Sequence, residues 1–127
     1  MLVVDASAAL QACLSAAGGT LLGRDAVGPP LLWSEVTSAL HELRWRGTVS
    51  EELAAIAWGR LGDLPVRRRA PEDLQLLAWS VADRLGWAKT YDAEYVALAE
   101  QLGVPLLTLD ERLRRGAARL VEVRSLD

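Results

Sequence analysis

Residues 1–9, MLVVDASAA, decide the fold, because an apolar run that stops on an acid and then turns helical is a buried strand carrying a carboxylate to its mouth. Leu2, Val3 and Val4 have no polar residue among them, the pattern of a strand covered on both faces, as in a parallel sheet. Ligands of open α/β sheets collect outside the carboxyl ends of the strands. Asp5 therefore has a site position before it has a role, and Ser7 adds a hydroxyl two residues on. An ordinary helix N-cap also explains an Asp here, so the rest of the chain must decide between the two.

Outward from that stretch, Ser7 to Ala17 has helical apolar spacing, with Cys13 on a stripe with Leu10, Leu14 and Ala17, and Gly18 and Gly19 end it. Ala26 to Pro30 reads as a brief extended piece. Leu31 to Arg46 is the clearest amphipathic helix, with Leu32, Val36, Ala39, Leu40 and Leu43 on one stripe. Glu35 borders that buried face, between Leu31 and Ala39, while His41 falls off the stripe and reads as a surface residue. Ser50 followed by Glu51 and Glu52 opens a second helix ending near Gly62, so the two helices form a hairpin. Val66 to Arg69 is a candidate second strand, and Pro71 starts a helix running to Leu85. Thr90, Tyr91 and Asp92 lead into a helix through Leu102, with Asp92 at the head of the stripe of Tyr95, Val96 and Ala99. Residues 106–109, LLTL, repeat the opening pattern and end on Asp110, followed by the basic stretch Arg112, Arg114 and Arg115. Val121 to Val123 is the expected edge strand.

A chain of 127 residues, 51% hydrophobic, fits a single domain over residues 1–127 with a real core. Its one cysteine excludes an intramolecular disulfide and suits a reducing cytoplasm. Ala6 to Gly23 carries no charge, yet it holds Gln11, two serines, a threonine and paired glycines, so neither a signal peptide nor a membrane span is expected. The net charge of −3 looks wrong for a nucleic-acid binder. Setting aside Asp5, Glu35, Asp92 and Asp110 as ligands, however, leaves 13 of the 17 acids against 14 bases, 13 of them arginine, the side chain suited to bidentate phosphate contacts. Five tryptophans and no phenylalanine are unusual, and most should be core or interface residues.

Strands alternating with helices imply right-handed crossovers, which bring the ends of the first and LLTL strands to one edge of the sheet. Asp5 and Asp110 become neighbours there, and Asp92 and Glu35 can reach the same edge. Four clustered carboxylates repel one another unless a cation binds. Oxygen-only ligands select a hard ion, which points to magnesium or manganese.

At these residues the sequence resembles the PIN-domain ribonucleases, and among them the VapC-type toxins of toxin-antitoxin pairs. The resemblance rests on VVDASA with Asp5, WSEVTSAL with Glu35, TYDAEYVALAEQLG with Asp92 and LLTLDERL with Asp110, in the family's order. It implies an α/β, three-layer PIN-like fold with a small parallel sheet flanked by helices. It also implies a magnesium- or manganese-dependent endoribonuclease acting on RNA, a homodimer, and a cognate antitoxin seated on the hairpin of residues 31–62, near Trp45 and Trp58. By position Asp5, Glu35, Asp92 and Asp110 match the family's acidic ligands, and Ser7 and Thr108 match hydroxyls beside them. Ser34 departs from the proline often found there, and the connection from Asp5 to Glu35 looks short. A haloacid-dehalogenase-type phosphatase also begins with a strand-end Asp but needs a second acid two residues later, where this chain has Ser7. The remaining alternative is a PIN fold that has lost catalysis and serves as a partner-binding or regulatory protein.

Overall fold

The computed structural model describes residues 1–126; Asp127, the last residue of the expected domain, lies outside them. Among the described residues five strands form one all-parallel sheet: β1 (Leu2–Val4), β2 (Ala26–Gly28), β3 (Val66–Arg68), β4 (Leu106–Leu107) and β5 (Val123–Arg124), in the order β3-β2-β1-β4-β5. Six α-helices connect them: α1 (Ala6–Leu14), α2 (Leu31–Trp45), α3 (Glu51–Asp63), α4 (Leu74–Leu85), α5 (Tyr91–Leu102) and α6 (Glu111–Ala117), with a 3-10 turn at Gly18–Leu22.

The chain steps outward from β1 to β2 and β3, returns to β4 on the other side of β1, and continues to β5. With right-handed crossovers that reversal places α1, α2 and α3 on one face of the sheet and α4 and α5 on the other. The packing agrees: α1 touches α2 and α3, α4 lies along α5, and α5 covers β1 and β4. This is the expected three-layer α/β fold. The reversal leaves a topological switch point between β1 and β4, the crevice where open α/β sheets bind their ligands.

The apolar runs read as doubly covered strands are buried as such, for Val3, Val4, Ala26, Val27, Leu106 and Leu107 are all in the core. The edge strands instead expose Arg67, Arg68 and Arg124, charges that discourage pairing with another chain. The extended piece after Ala26 proves to be a full inner strand. In contrast, α1 is shorter than its spacing suggests. It ends at Leu14, Ala17 is exposed, and the buried stripe is Ala8, Ala9, Ala12 and Cys13. The reason lies in α3, where Arg60 Nη1 donates to the carbonyls of Cys13 (2.9 Å) and Ser15 (3.1 Å) and so caps the helix before the glycines. Ser50 caps α3 as expected, its hydroxyl accepting from Leu53 N–H. The helix placed at Pro71 begins three residues later, at Leu74. Two tryptophans, Trp33 and Trp87, pack against the core, while Trp45, Trp58 and Trp79 are exposed.

The basic stretch after Asp110 is a helix, α6, which its run of arginines conceals in the sequence. Gly116 fixes its seat: a Cβ there would meet Trp87 Cζ2 at 2.3 Å, so the ring packs directly on the helix backbone. Gly116→Ala should therefore destabilise the fold, since overpacking costs about 1–3 kcal/mol and exceeds the helix-propensity gain of about 1 kcal/mol. A thermal midpoint below that of the parent is the expected result.

Candidate active site

Asp5 leaves β1 and caps α1, its Oδ1 accepting from Ala8 N–H at 3.0 Å. The capping reading is thus realised, and the same side chain stands at the carboxyl end of β1, where a site is expected. The residue is only 3% exposed, which is unusual for a carboxylate and requires partners. Ser7 Oγ donates to its Oδ1 at 2.7 Å, and Thr108 Oγ1, from the end of β4, donates to its Oδ2 at 2.5 Å. Each hydroxyl also accepts a backbone N–H, Ser7 from Leu109 (2.9 Å) and Thr108 from Asp110 (3.0 Å). Both protons are committed to Asp5, so the 3.3 Å approach of Ser7 Oγ to Thr108 Oγ1 is contact without a shared proton. These bonds tie the two strand ends together at the switch point.

Around this centre the other acids arrive from separate elements. Asp110 caps α6, its Oδ1 accepting from Arg112 and Leu113 N–H at 2.9 and 3.3 Å. Asp92 opens the first turn of α5, and Glu35 stands half-buried in the second turn of α2. Tyr95, one turn beyond Asp92, crosses to α2 and donates its hydroxyl to Glu35 Oε1 at 2.5 Å. At 1% exposure Tyr95 is buried, and its phenol group is pushed upward in pKa by burial and by that bond to Glu35. By its spacing Tyr95 reads only as a residue of the apolar stripe of α5. Its hydroxyl was the available signal, because a buried phenol seeks a partner.

Burial chiefly, and repulsion between pairs of these acids secondarily, set their electrostatics. The Asp5 carboxyl is raised above its ordinary range by burial, against the bonds from Thr108, Ala8 and Ser7, and Asp110 repels it further. Glu35 is raised by burial, with Asp92 and Asp5 adding repulsion and Tyr95 opposing. Asp92 is raised by desolvation and then by Asp110, with Arg112 opposing; its open position screens these effects. Glu94 joins the cluster as an unanticipated acid, raised by burial and by Glu35.

Among the described residues no three acids stand close enough to close on one ion without adjustment. The donor set nevertheless fits a hard cation. Neither Asp92 oxygen, nor Glu35 Oε2, nor Asp110 Oδ2 accepts a hydrogen bond among the described residues, and no described base is ion-paired to any of the four acids.

Residues 2–119 match the PIN domain family. The chain belongs to the PIN-domain family. Within that family it stands with the VapC ribonucleases. It is 32% identical to Ribonuclease VapC12 of Mycobacterium tuberculosis over 128 residues, covering 97% of each chain. It is 38% identical to Ribonuclease VapC9 of the same organism over 118 residues, covering 89% of this chain and 88% of that one. Among solved structures it resembles PAE2754 from Pyrobaculum aerophilum, with a TM-score of 0.73 and 26% identity, covering 98% of this chain and 90% of that one.

The hydroxyls of this PIN domain can be tested apart from any ion. Thr108→Val is nearly isosteric but removes a donor to a buried carboxylate and orphans the Asp110 N–H, so it should cost about 1–3 kcal/mol. A denaturant midpoint unchanged from the parent would show that Thr108 does not hold Asp5.

Proposed function

We propose that this PIN domain is a magnesium- or manganese-dependent endoribonuclease, the toxin of a type II toxin-antitoxin pair working in the cytoplasm. The observation that carries the reading is the buried Asp5 at the switch point, held by Ser7 and Thr108, repelled by Asp110 and itself repelling Glu35, with no ion-paired base among the described residues. Asp5, Glu35, Asp92 and Asp110 would hold the ion, which when bound makes a hydroxide-like nucleophile from water near neutral pH and offsets charge on the phosphodiester. The chain's own groups do the positioning. Ser7 and Thr108 fix both Asp5 oxygens, and Tyr95 fixes Glu35. Ser7 is not suited to act as a nucleophile, because its proton and a lone pair are both engaged. His41 stacks on the exposed Trp45 ring at 6.4 Å, well along α2 from Glu35, and Cys13 is buried with its thiol pushed up to about 11 by burial. Neither supplies a base or nucleophile to the site. The inactive-PIN alternative lacks support, since no acid of the set is missing.

The antitoxin's place in this reading is the α2–α3 hairpin. A groove of about 390 Å³ opens there, its lining mixing apolar Leu40, Ala54 and Trp58 with polar His41, Arg44 and Glu51. Trp45 is 81% exposed beside it, an apolar surface that a single chain leaves wet. Co-expression with the product of the neighbouring reading frame should yield a complex in which this hairpin gains protection from hydrogen exchange. Protection everywhere except the hairpin would refute that placement. A homodimer is part of the same reading. No described helix is long and apolar enough to cross a membrane.

The function itself is tested by incubating the purified chain with total bacterial RNA. Cleavage that needs magnesium or manganese and stops with chelator is expected, and cleavage indifferent to chelator would overturn the assignment.

A further inference from the structure

We propose that Arg68, held over the Trp33 ring at the carboxyl edge of the sheet, is the docking platform for a nucleotide of single-stranded RNA flanking the cleaved bond. The proposal rests on the nuclease reading above. Its basis is register. Gly28 pairs with Arg68 and Val3 with Val27, so Arg68 stands level with Val4, and Arg69, whose N–H donates to Gly28 O, stands level with Asp5. Two strand spacings separate β3 from β1, so this edge lies about 10 Å from the acids. Trp33 belongs to the first turn of α2, two residues before Glu35, and its indole packs on the core. The Arg68 guanidinium carbon sits 4.8 Å from the centre of that ring.

Two features separate Arg68 from an ordinary edge arginine. Its neighbour Arg67, pointing to the opposite face, is tied to Asp25 at 2.6 Å, whereas Arg68 has no carboxylate partner among the described residues. Held over an indole, the exposed guanidinium is drawn to one place by the ring's negative face. Its N–H edge remains for phosphate oxygens and its plane for a base. Arg112, in the first turn of α6 with its N–H on Asp110 Oδ1, supplies positive charge on the other side of the site. A polyanion lying across the switch point would thus meet arginine before and after the acids. Single strands are the matching ligand, because only unstacked bases offer a face to the guanidinium.

The test uses the full chain carrying Asp5→Asn, so that RNA is bound and not cut, with a fluorescent random-sequence single-stranded RNA pool read by anisotropy in magnesium. Adding Arg68→Gln should weaken binding about tenfold, within the range measured for loss of one stacked base, and should lower the salt slope by about 0.7. Arg68→Lys should restore the slope without restoring affinity. Arg119→Gln, an exposed arginine beyond the far end of α6, should change neither. Arg68→Gln binding like its parent, or Arg119→Gln weakening it equally, would overturn the platform. In chains keeping Asp5, Arg68→Gln should slow cleavage of total RNA at limiting substrate and recover at saturation. Equal rates at limiting substrate, with the parent active, overturn the platform alone. A parent that shows no metal-dependent cleavage overturns the nuclease reading and the platform with it.

Discussion

Asp5→Asn is expected to lower RNA cleavage at least about a hundredfold while leaving the fold intact, since loss even of outer-shell partners of a metal site typically costs 10–100-fold and Asp5 stands at the centre. The substitution is close to isosteric. Its amide oxygen can still accept from Ser7 and Ala8 N–H, so the cap on α1 survives. The other half of the side chain now donates toward Thr108, which must turn to accept while it also accepts from Asp110 N–H. What disappears is the charge, and burial already disfavours that charge in the metal-free protein. Cleavage rates measured beside circular-dichroism melts separate the two effects. A folded variant that cleaves within threefold of the parent would remove Asp5 from the reaction.

The path to that residue was unusually short in the sequence. β1 and β4 are legible because both are inner strands buried on two faces, and such strands have no alternation to obscure them. Asp5 and Asp110 follow as the acids that end them. Glu35 is legible through helical periodicity, at the border of a stripe whose Leu32, Val36 and Leu40 are buried. What was hidden depends on long separations or on brevity. β2 is three residues followed by two prolines, too short to show its place between β1 and β3. Tyr95 and Glu35 are 60 residues apart, so their bond exists only once α5 is laid beside α2. Arg60 ends α1 from 45 residues away, overriding the glycines that local spacing favoured. α6 was masked by its own arginines, although Asp110 with Glu111 is a fair start signal for a helix.

Magnesium is expected to stabilise the protein by about 2.7 kcal/mol at a hundredfold excess over its dissociation constant, if it binds only the native cluster. For a domain of this size that is a melting shift of roughly 10 °C. Without metal the cluster is a liability whose pH dependence has a definite sign. Asp5, Glu35 and Asp92 all have folded pKa values above their unfolded ones, chiefly through burial, with mutual repulsion adding. Between the unfolded value, near 4, and the raised folded value, the native state holds more protons than the unfolded state. Stability of the metal-free protein should therefore fall as pH rises through that window and level off above it. Excess magnesium should flatten the fall. Denaturant midpoints taken from pH 4 to 8 with chelator, and again with magnesium, give both curves, and a metal-free midpoint that rises steadily across the window would contradict the raised values.

The claim beneath all of this is that four carboxylates from four elements form one cation site. Asp92→Asn tests it most directly, because Asp92 accepts no hydrogen bond among the described residues and contributes to the cluster mainly as charge. The variant loses one repelling charge and one ligand together. Thermal melts of parent and variant at neutral pH, with chelator and with magnesium, should therefore cross: the variant melts above the parent without metal and gains less when magnesium is added. Equal magnesium shifts in the two proteins, or no shift in either, would mean that these acids are ordinary caps and surface charges, and that they do not share an ion.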